Sequence, residues 1–152
     1  MMDVSSLPFR RAVQVYVVNG QKQFLLQSPP KYDSPVWKIP SGGAEPGENA
    51  EQTVHRELQE EFSVSVEIIA KSKQKNEFLW PLNLVEKEGF RWKGQSQDIF
   101  VVRLSGKQIL KPNPAEVKDI KWVTKEQVHA FFKFPNQLES AKKIFAEFPQ
   151  LF

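Results

Sequence analysis

The most constraining stretch lies between residues 42 and 64. Gly42-Gly43-Ala44-Glu45-Pro46-Gly47-Glu48 leads through a short spacer into Arg56-Glu57-Leu58-Gln59-Glu60-Glu61-Phe62-Ser63-Val64. It reads as a glycine-rich loop opening directly into a helix, with Asn49 as N-cap and Gln52 as its capping-box partner. Ala50, Val54, Leu58 and Phe62 recur every four residues and give that helix an apolar stripe. Glu57, Glu60 and Glu61 stand at i, i+3 and i+4, so their carboxylates share a face roughly a quarter turn from the stripe. They border the core, where a cleft can form.

Three acids so placed do not serve helix stability. Like charges at i,i+4 cost a few tenths of a kcal/mol, and the C-terminal half of a helix disfavours anions. A cation would turn that cost into a binding site. Hard carboxylate oxygens with water suit magnesium or manganese rather than zinc. A solvated acidic patch is the plain alternative, and the cluster taken alone favours it.

The spacing favours the metal. Residues 42–64 resemble the Nudix hydrolase box, G-x5-E-x7-R-E-U-x-E-E-x-G-U with U bulky and apolar. Gly42, Glu48, Arg56, Glu57, Leu58, Glu60, Glu61 and Val64 fall in register. Ser63 replaces the late glycine, a position where positive φ is often wanted, so the departure concerns local geometry. Upstream, Pro40-Ser41-Gly42 stands where Pro-Gly-Gly is frequent, and Trp37 and Pro40 match the W-x-x-P that precedes the box. The resemblance implies an α/β fold, a Nudix-like α-β-α sandwich with a mixed β-sheet, in one domain over residues 1–152. It also implies metal-dependent hydrolysis of a phosphoric anhydride. Magnesium, with manganese as a substitute, would be held by Glu57, Glu60, Glu61 and the Ser41 backbone carbonyl. Arg56 would orient the carboxylates, pairing with Glu48. Gly42 and Gly43 become candidate substrate contacts.

The remaining sequence is compatible. Cysteine is absent, which excludes disulfides, thiolate nucleophiles and Cys-ligated zinc. His55 and His129 lie too far apart to read as a ligand pair. No stretch approaches a membrane span, and residues 1–11 lack the apolar run of a signal peptide, so a soluble cytoplasmic protein without membrane partners is expected. The net charge of +3 suits a phosphate-rich substrate without requiring a nucleic-acid groove.

In chain order, residues 11–18 and 24–27 read as strands around an Asn19-Gly20 turn, followed by a loop over 31–35 and an extended 37–40. Strands are expected at 64–70 and at 76–84, the latter broken at Pro81, with a turn at 86–89. A polar approach from Trp92 enters a buried strand ending at Leu104, and Ile120-Lys121-Trp122-Val123 forms another. Thr124 with Gln127, and Asn136 with Glu139, read as capping boxes for two helices. The second carries Leu138, Ala141, Ile144, Phe145 and Phe148 on one stripe. Arg10 and Lys38 are candidate phosphate contacts, with a solvated surface role equally open. Trp80 and Phe134 are candidates for stacking on a base.

Gly94-Gln95-Ser96-Gln97 resembles the G-Q-x-Q stretch of one Nudix branch, the dinucleoside polyphosphate hydrolases and RNA pyrophosphohydrolases. Glu116, six residues before Trp122, matches that branch's loop glutamate, which implies a general base; Gln95 becomes a substrate contact. The expected substrate is a dinucleoside polyphosphate, with diadenosine tetraphosphate leading. The 5′-triphosphate end of RNA is the nearest competitor, ahead of ADP-ribose or a damaged nucleoside triphosphate. A non-catalytic nucleotide-binding module is disfavoured because every box glutamate is present.

Overall fold

The structure, a computed structural model, describes residues 3–31 and 34–152. Its frame is a six-stranded mixed sheet in the order β4-β5-β1-β2-β6, with β3 paired to β1 off that path. The strands are β1 (Phe9–Val18), β2 (Phe24–Ser28), β3 (Ser41–Gly43), β4 (Val66–Leu79), β5 (Gly94–Leu104) and β6 (Asp119–Val123). β1 runs parallel to β5 along its whole length and antiparallel to β3 near its start. Its end pairs with β2.

Alternation along β1 sends residues to two cores. Val13, Val15 and Val17 pack with Val54, Leu58 and Phe62 of helix α1 (Ala50–Phe62). Tyr16 and Val18 pack with Ala141, Ile144 and Phe145 of helix α3 (Pro135–Glu147). The sheet therefore lies between two helical layers, an α-β-α sandwich. Each of the three α1 anchors is fully buried, worth about 1.5–3 kcal/mol apiece for the larger side chains.

Helix α1 begins as its sequence requires. The Asn49 side chain accepts from the Gln52 N–H at 2.8 Å and Gln52 accepts from the Asn49 N–H at 2.9 Å. Ser63 ends it in the left-handed region at φ 56°, its N–H donating to the Gln59 carbonyl.

Four elements differ from expectation. The two strands expected over 64–84 are one, β4, because pairing with β5 carries the polar Lys71–Lys75 run through register shifts that no apolar alternation reveals. Pro81 does not break a strand. It opens helix α2 (Leu82–Lys87), which buries Val85 where a strand end and turn were expected. After Thr124 only a 3-10 turn forms, Val128–Ala130, and the box is half made: the Thr124 N–H donates to Gln127 Oε1, but the Gln127 N–H donates to the Thr124 carbonyl rather than to its hydroxyl. Helix α3 starts ahead of Asn136, with Pro135 in its first turn and the Phe134 N–H donating to Gln137 Oε1 at 3.2 Å. The loop expected over 31–35 lies partly outside the described residues. Among them, no helix is long and apolar enough to cross a membrane.

Candidate active site

The glycine stretch is built as a strand edge rather than a free loop. β3 pairs with β1 through Gln14 opposite Ser41, Val13 opposite Gly42 and Ala12 opposite Gly43. The Val15 N–H donates to Pro40 O at 2.8 Å and the Ala44 N–H to Arg11 O at 2.9 Å. Antiparallel alternation then turns the Ser41 carbonyl away from β1. The two glycines leave space on opposite sides. A Cβ on Gly42 would overlap the Glu57 carboxylate, and one on Gly43 would overlap the Arg10 guanidinium. No larger residue fits either position without moving those side chains.

Arg56 ties this strand to α1. Its Nε and Nη2 donate to the two oxygens of Glu48 at 2.6 and 2.9 Å, and Nη2 also donates to Gly43 O at 2.8 Å. Nη1 reaches Glu57 Oε1 at 3.0 Å and Glu60 Oε2 at 3.2 Å. Glu48 further accepts from the Glu45 N–H and the Thr53 hydroxyl. The Arg56 hydrogen bonds hold the Glu48 carboxyl down at about 2, and Glu48 in turn raises Arg56. One guanidinium thus fixes the loop, the strand and the carboxylate face together.

Glu57 and Glu61 project from α1 into a cavity of about 390 Å³ with Ser41, Gly42, Lys38 and Glu116 on its walls. Burial pushes the Glu61 carboxyl up to about 8, with nearby Glu57 adding to it and Lys38 opposing. Burial also raises Glu57, against the Arg56 charge. Glu60 does not line this cavity; its half-exposed carboxylate accepts from the same Arg56 Nη1 that holds Glu57.

A second cavity, of about 480 Å³, shares Lys38, Ser41 and Gly42 with the first. Its floor carries Gln14, Asn76, Gln95 and Gln97, and Phe78 and Phe132 stand on its walls. The amides form a chain: Asn76 Nδ2 donates to Gln97 Oε1 at 3.0 Å, and Gln97 Nε2 to Gln95 Oε1 at 3.2 Å. An acidic chamber and a polar-aromatic chamber therefore meet over the Ser41-Gly42 edge.

Of the candidates read from sequence, Glu57, Glu61, Glu116, Ser41, Gly42, Lys38 and Gln95 meet in this double groove. Three stacking or phosphate candidates do not. Trp80 packs edge-on to Trp92 at 6.4 Å, Phe134 is exposed beside the start of α3, and Arg10 lies over Gly43 toward Trp92. Strand pairing decides this. Phe78, opposite Gln95, is the aromatic that β4 delivers to the groove, and Trp80 follows after the strand has ended. Sequence reading missed Gln14, Asn76, Phe78, Gln97 and Phe132. Gln14, an amide inside an apolar run, Gln97, the second glutamine of the motif, and Phe78 and Phe132, each beside the aromatic chosen in its place, left a signal.

The site can be tested against a divalent cation. Among the described residues, no three His, Cys, Asp or Glu side chains stand close enough to hold one metal. Yet Glu61 Oε2 is buried without a hydrogen-bond partner, and the partly buried Glu57 carboxylate and the Ser41 main chain border the same cavity. An orphaned oxygen in an all-oxygen donor set is what a hard cation would satisfy. The residues fit the ion.

A family model described as NUDIX domain matches residues 8–148. A curated relative named RNA pyrophosphohydrolase, from Novosphingobium aromaticivorans, is 32% identical over 133 residues, covering 82% of this chain and 83% of its own length. One of the same name from Erythrobacter litoralis is 29% identical, covering 98% of this chain and 96% of its own. Among solved structures, an Ap4A hydrolase binary complex from C. elegans has a TM-score of 0.66 at 18% identity, covering 93% of this chain and 99% of that one. A NUDIX hydrolase from Nitrosomonas europaea reaches 0.69 at 15% identity, covering 91% and 90%. At these identities the structural likeness speaks for the fold.

Proposed function

The chain belongs to the Nudix hydrolase family, and from that premise we propose that it cuts a phosphoric anhydride bond in a nucleotide 5′-polyphosphate, with the triphosphorylated 5′ end of RNA as leading substrate. The observation that carries this reading is the meeting of the two chambers. Phosphates laid along Lys38 and the Ser41-Gly42 edge would put a nucleobase between Phe78 and Phe132 and the anhydride beside Glu57 and Glu61. The RNA preference is supported by the relatives of that name, which align over most of their length.

The family uses divalent ions, of which magnesium is the proposed one here. Such an ion would be held by Glu57, Glu61 and the Ser41 carbonyl, and would supply neutralisation of the anhydride oxygens and a more acidic water. Arg56 keeps Glu57 aimed into the chamber. Lys38, shared by both chambers, binds the phosphates and offsets the Glu61 charge. Glu116, which lines the same chamber, takes the proton of the attacking water. Gln14, Gln95 and Asn76 offer hydrogen bonds to a base edge, and Phe78 and Phe132 offer stacking.

Diadenosine tetraphosphate is the second reading. It needs the same chambers, and the modest net charge of +3 favours a small molecule over a long strand. Comparing kcat/KM for triphosphorylated RNA, diadenosine tetraphosphate and ADP-ribose at equal magnesium decides between them. RNA is expected ahead by about tenfold or more, on the order of 1.4 kcal/mol in transition-state binding. The reverse order transfers the assignment to the dinucleotide, and dominance of ADP-ribose overturns both.

A further inference from the structure

A third cavity, of about 290 Å³, has Arg10, Arg11, Arg91 and Trp92 on its walls beside Ala44 and Pro46. It adjoins the far end of the Ser41–Gly43 edge, where the Arg10 guanidinium fills the space that Gly43 leaves. Arg91 Cζ sits 4.2 Å from the Trp92 ring centroid and Arg10 Cζ sits 5.2 Å from it. Arg11 Nη2 donates to Glu48 O at 2.6 Å, beside the same walls. Among the described residues none of these three arginines forms an ion pair with a carboxylate. Glu45 also borders the cavity, but its carboxylate is 3.7 Å from Arg56. Arg10 Nε is buried without a hydrogen-bond partner.

Two guanidinium groups without a carboxylate partner on one ring, with a third arginine lining the same cavity, repel one another unless an anion joins them. The backbone adds an independent sign. Phe90, immediately before Arg91, holds φ at +58°, a conformation that costs a bulky residue energy and that surrounding structure must enforce. That turn sets Arg91 and Trp92 against Arg10. We propose that Arg10, Arg11 and Arg91 form a second phosphate subsite, which takes a phosphate of the substrate lying beyond the bond that is cut. Guanidinium forks suit phosphate oxygens, and a ring that already holds two arginines keeps them in place. Placement beyond Gly43 lets the subsite engage an extended substrate while a mononucleotide falls short of it. This rests on the nucleotide reading above, and the phosphate could belong either to an RNA backbone or to the second half of a dinucleoside polyphosphate.

The test is kinetic, with wild type, Arg91→Ala and Arg91→Lys acting on triphosphorylated RNA of several nucleotides, diadenosine tetraphosphate and ATP. Arg91 is exposed, so its replacement leaves the core intact. Arg91→Ala should raise KM for RNA, for the dinucleotide or for both by at least about tenfold relative to ATP, with kcat held, the scale of a lost charged hydrogen bond. The substrate affected identifies the source of the phosphate. Arg91→Lys should recover part of the loss. Equal changes on all three substrates, or none, would mean the cluster only braces Trp92, and the proposal fails. A binding arm separates this from failure of the catalytic reading. Fluorescence anisotropy with a 5′-monophosphorylated dinucleotide and with AMP, in EDTA, should show Arg91→Ala weakening the dinucleotide alone. If no substrate is cleaved, the catalytic reading falls and this arm still judges the subsite.

Discussion

Glu61 gathers the chemistry of the site into one side chain. It is buried, one of its oxygens lacks a partner, and its carboxyl is raised to about 8. The linkage is definite in sign. A carboxyl raised above its ordinary 4.5 binds a proton in the native state that the unfolded chain releases. In the metal-free protein its contribution to stability is therefore full below about pH 4.5 and lost as pH rises toward 8. Urea midpoints in EDTA should fall across that window for wild type and change less for Glu61→Gln; parallel curves would contradict the shift. Glu116 belongs to the same scale. Removing a positioned base costs ~10²–10⁴ in rate, so Glu116→Gln should lose kcat by such a factor with KM little changed. A loss below about tenfold would assign the proton to another group.

Helix α1 was the most legible element, because its instructions are local. Asn49 and Gln52 make their box, and Val54, Leu58 and Phe62 meet the sheet. Ser63 shows the cost of departing from the family's glycine: it holds φ 56°, which glycine adopts without penalty. Ser63→Gly should stabilise the protein by about 1 kcal/mol and raise Tm by ~2–4 °C in a thermal melt, whereas an unchanged or lower Tm would show that the serine is compensated. β4 was the least legible. Its lysine-rich middle has no alternation to read, and only pairing with β5 makes it a strand. That hidden register explains why Phe78, rather than Trp80, reaches the groove. The base end of the site depends on cross-strand neighbours, whereas the acid end depends on spacing within one helix.

At the scale of the molecule, the sandwich places two chambers on either side of one strand edge. Helix α1 closes the acid chamber with β3, and β4, β5 and α3 enclose the polar-aromatic one. If that division is functional, damage at one end should leave the other intact. Phe78→Ala should raise KM by roughly tenfold, within the 1–3 kcal/mol that stacking supplies, and leave kcat nearly unchanged. A fall in kcat with constant KM would show that Phe78 serves the reacting end instead. The opposite signature belongs to the acid chamber. The most direct measurement is the magnesium-dependent turnover of triphosphorylated RNA and diadenosine tetraphosphate by Glu61→Gln beside wild type, with product binding checked in both proteins. A fall in kcat of at least about 100-fold, the scale of losing one electrostatic stabiliser of a transition state, with product affinity and the far-UV circular dichroism spectrum preserved, is the expected result. Turnover by Glu61→Gln within a few-fold of wild type, or wild-type turnover undiminished in EDTA, would contradict it.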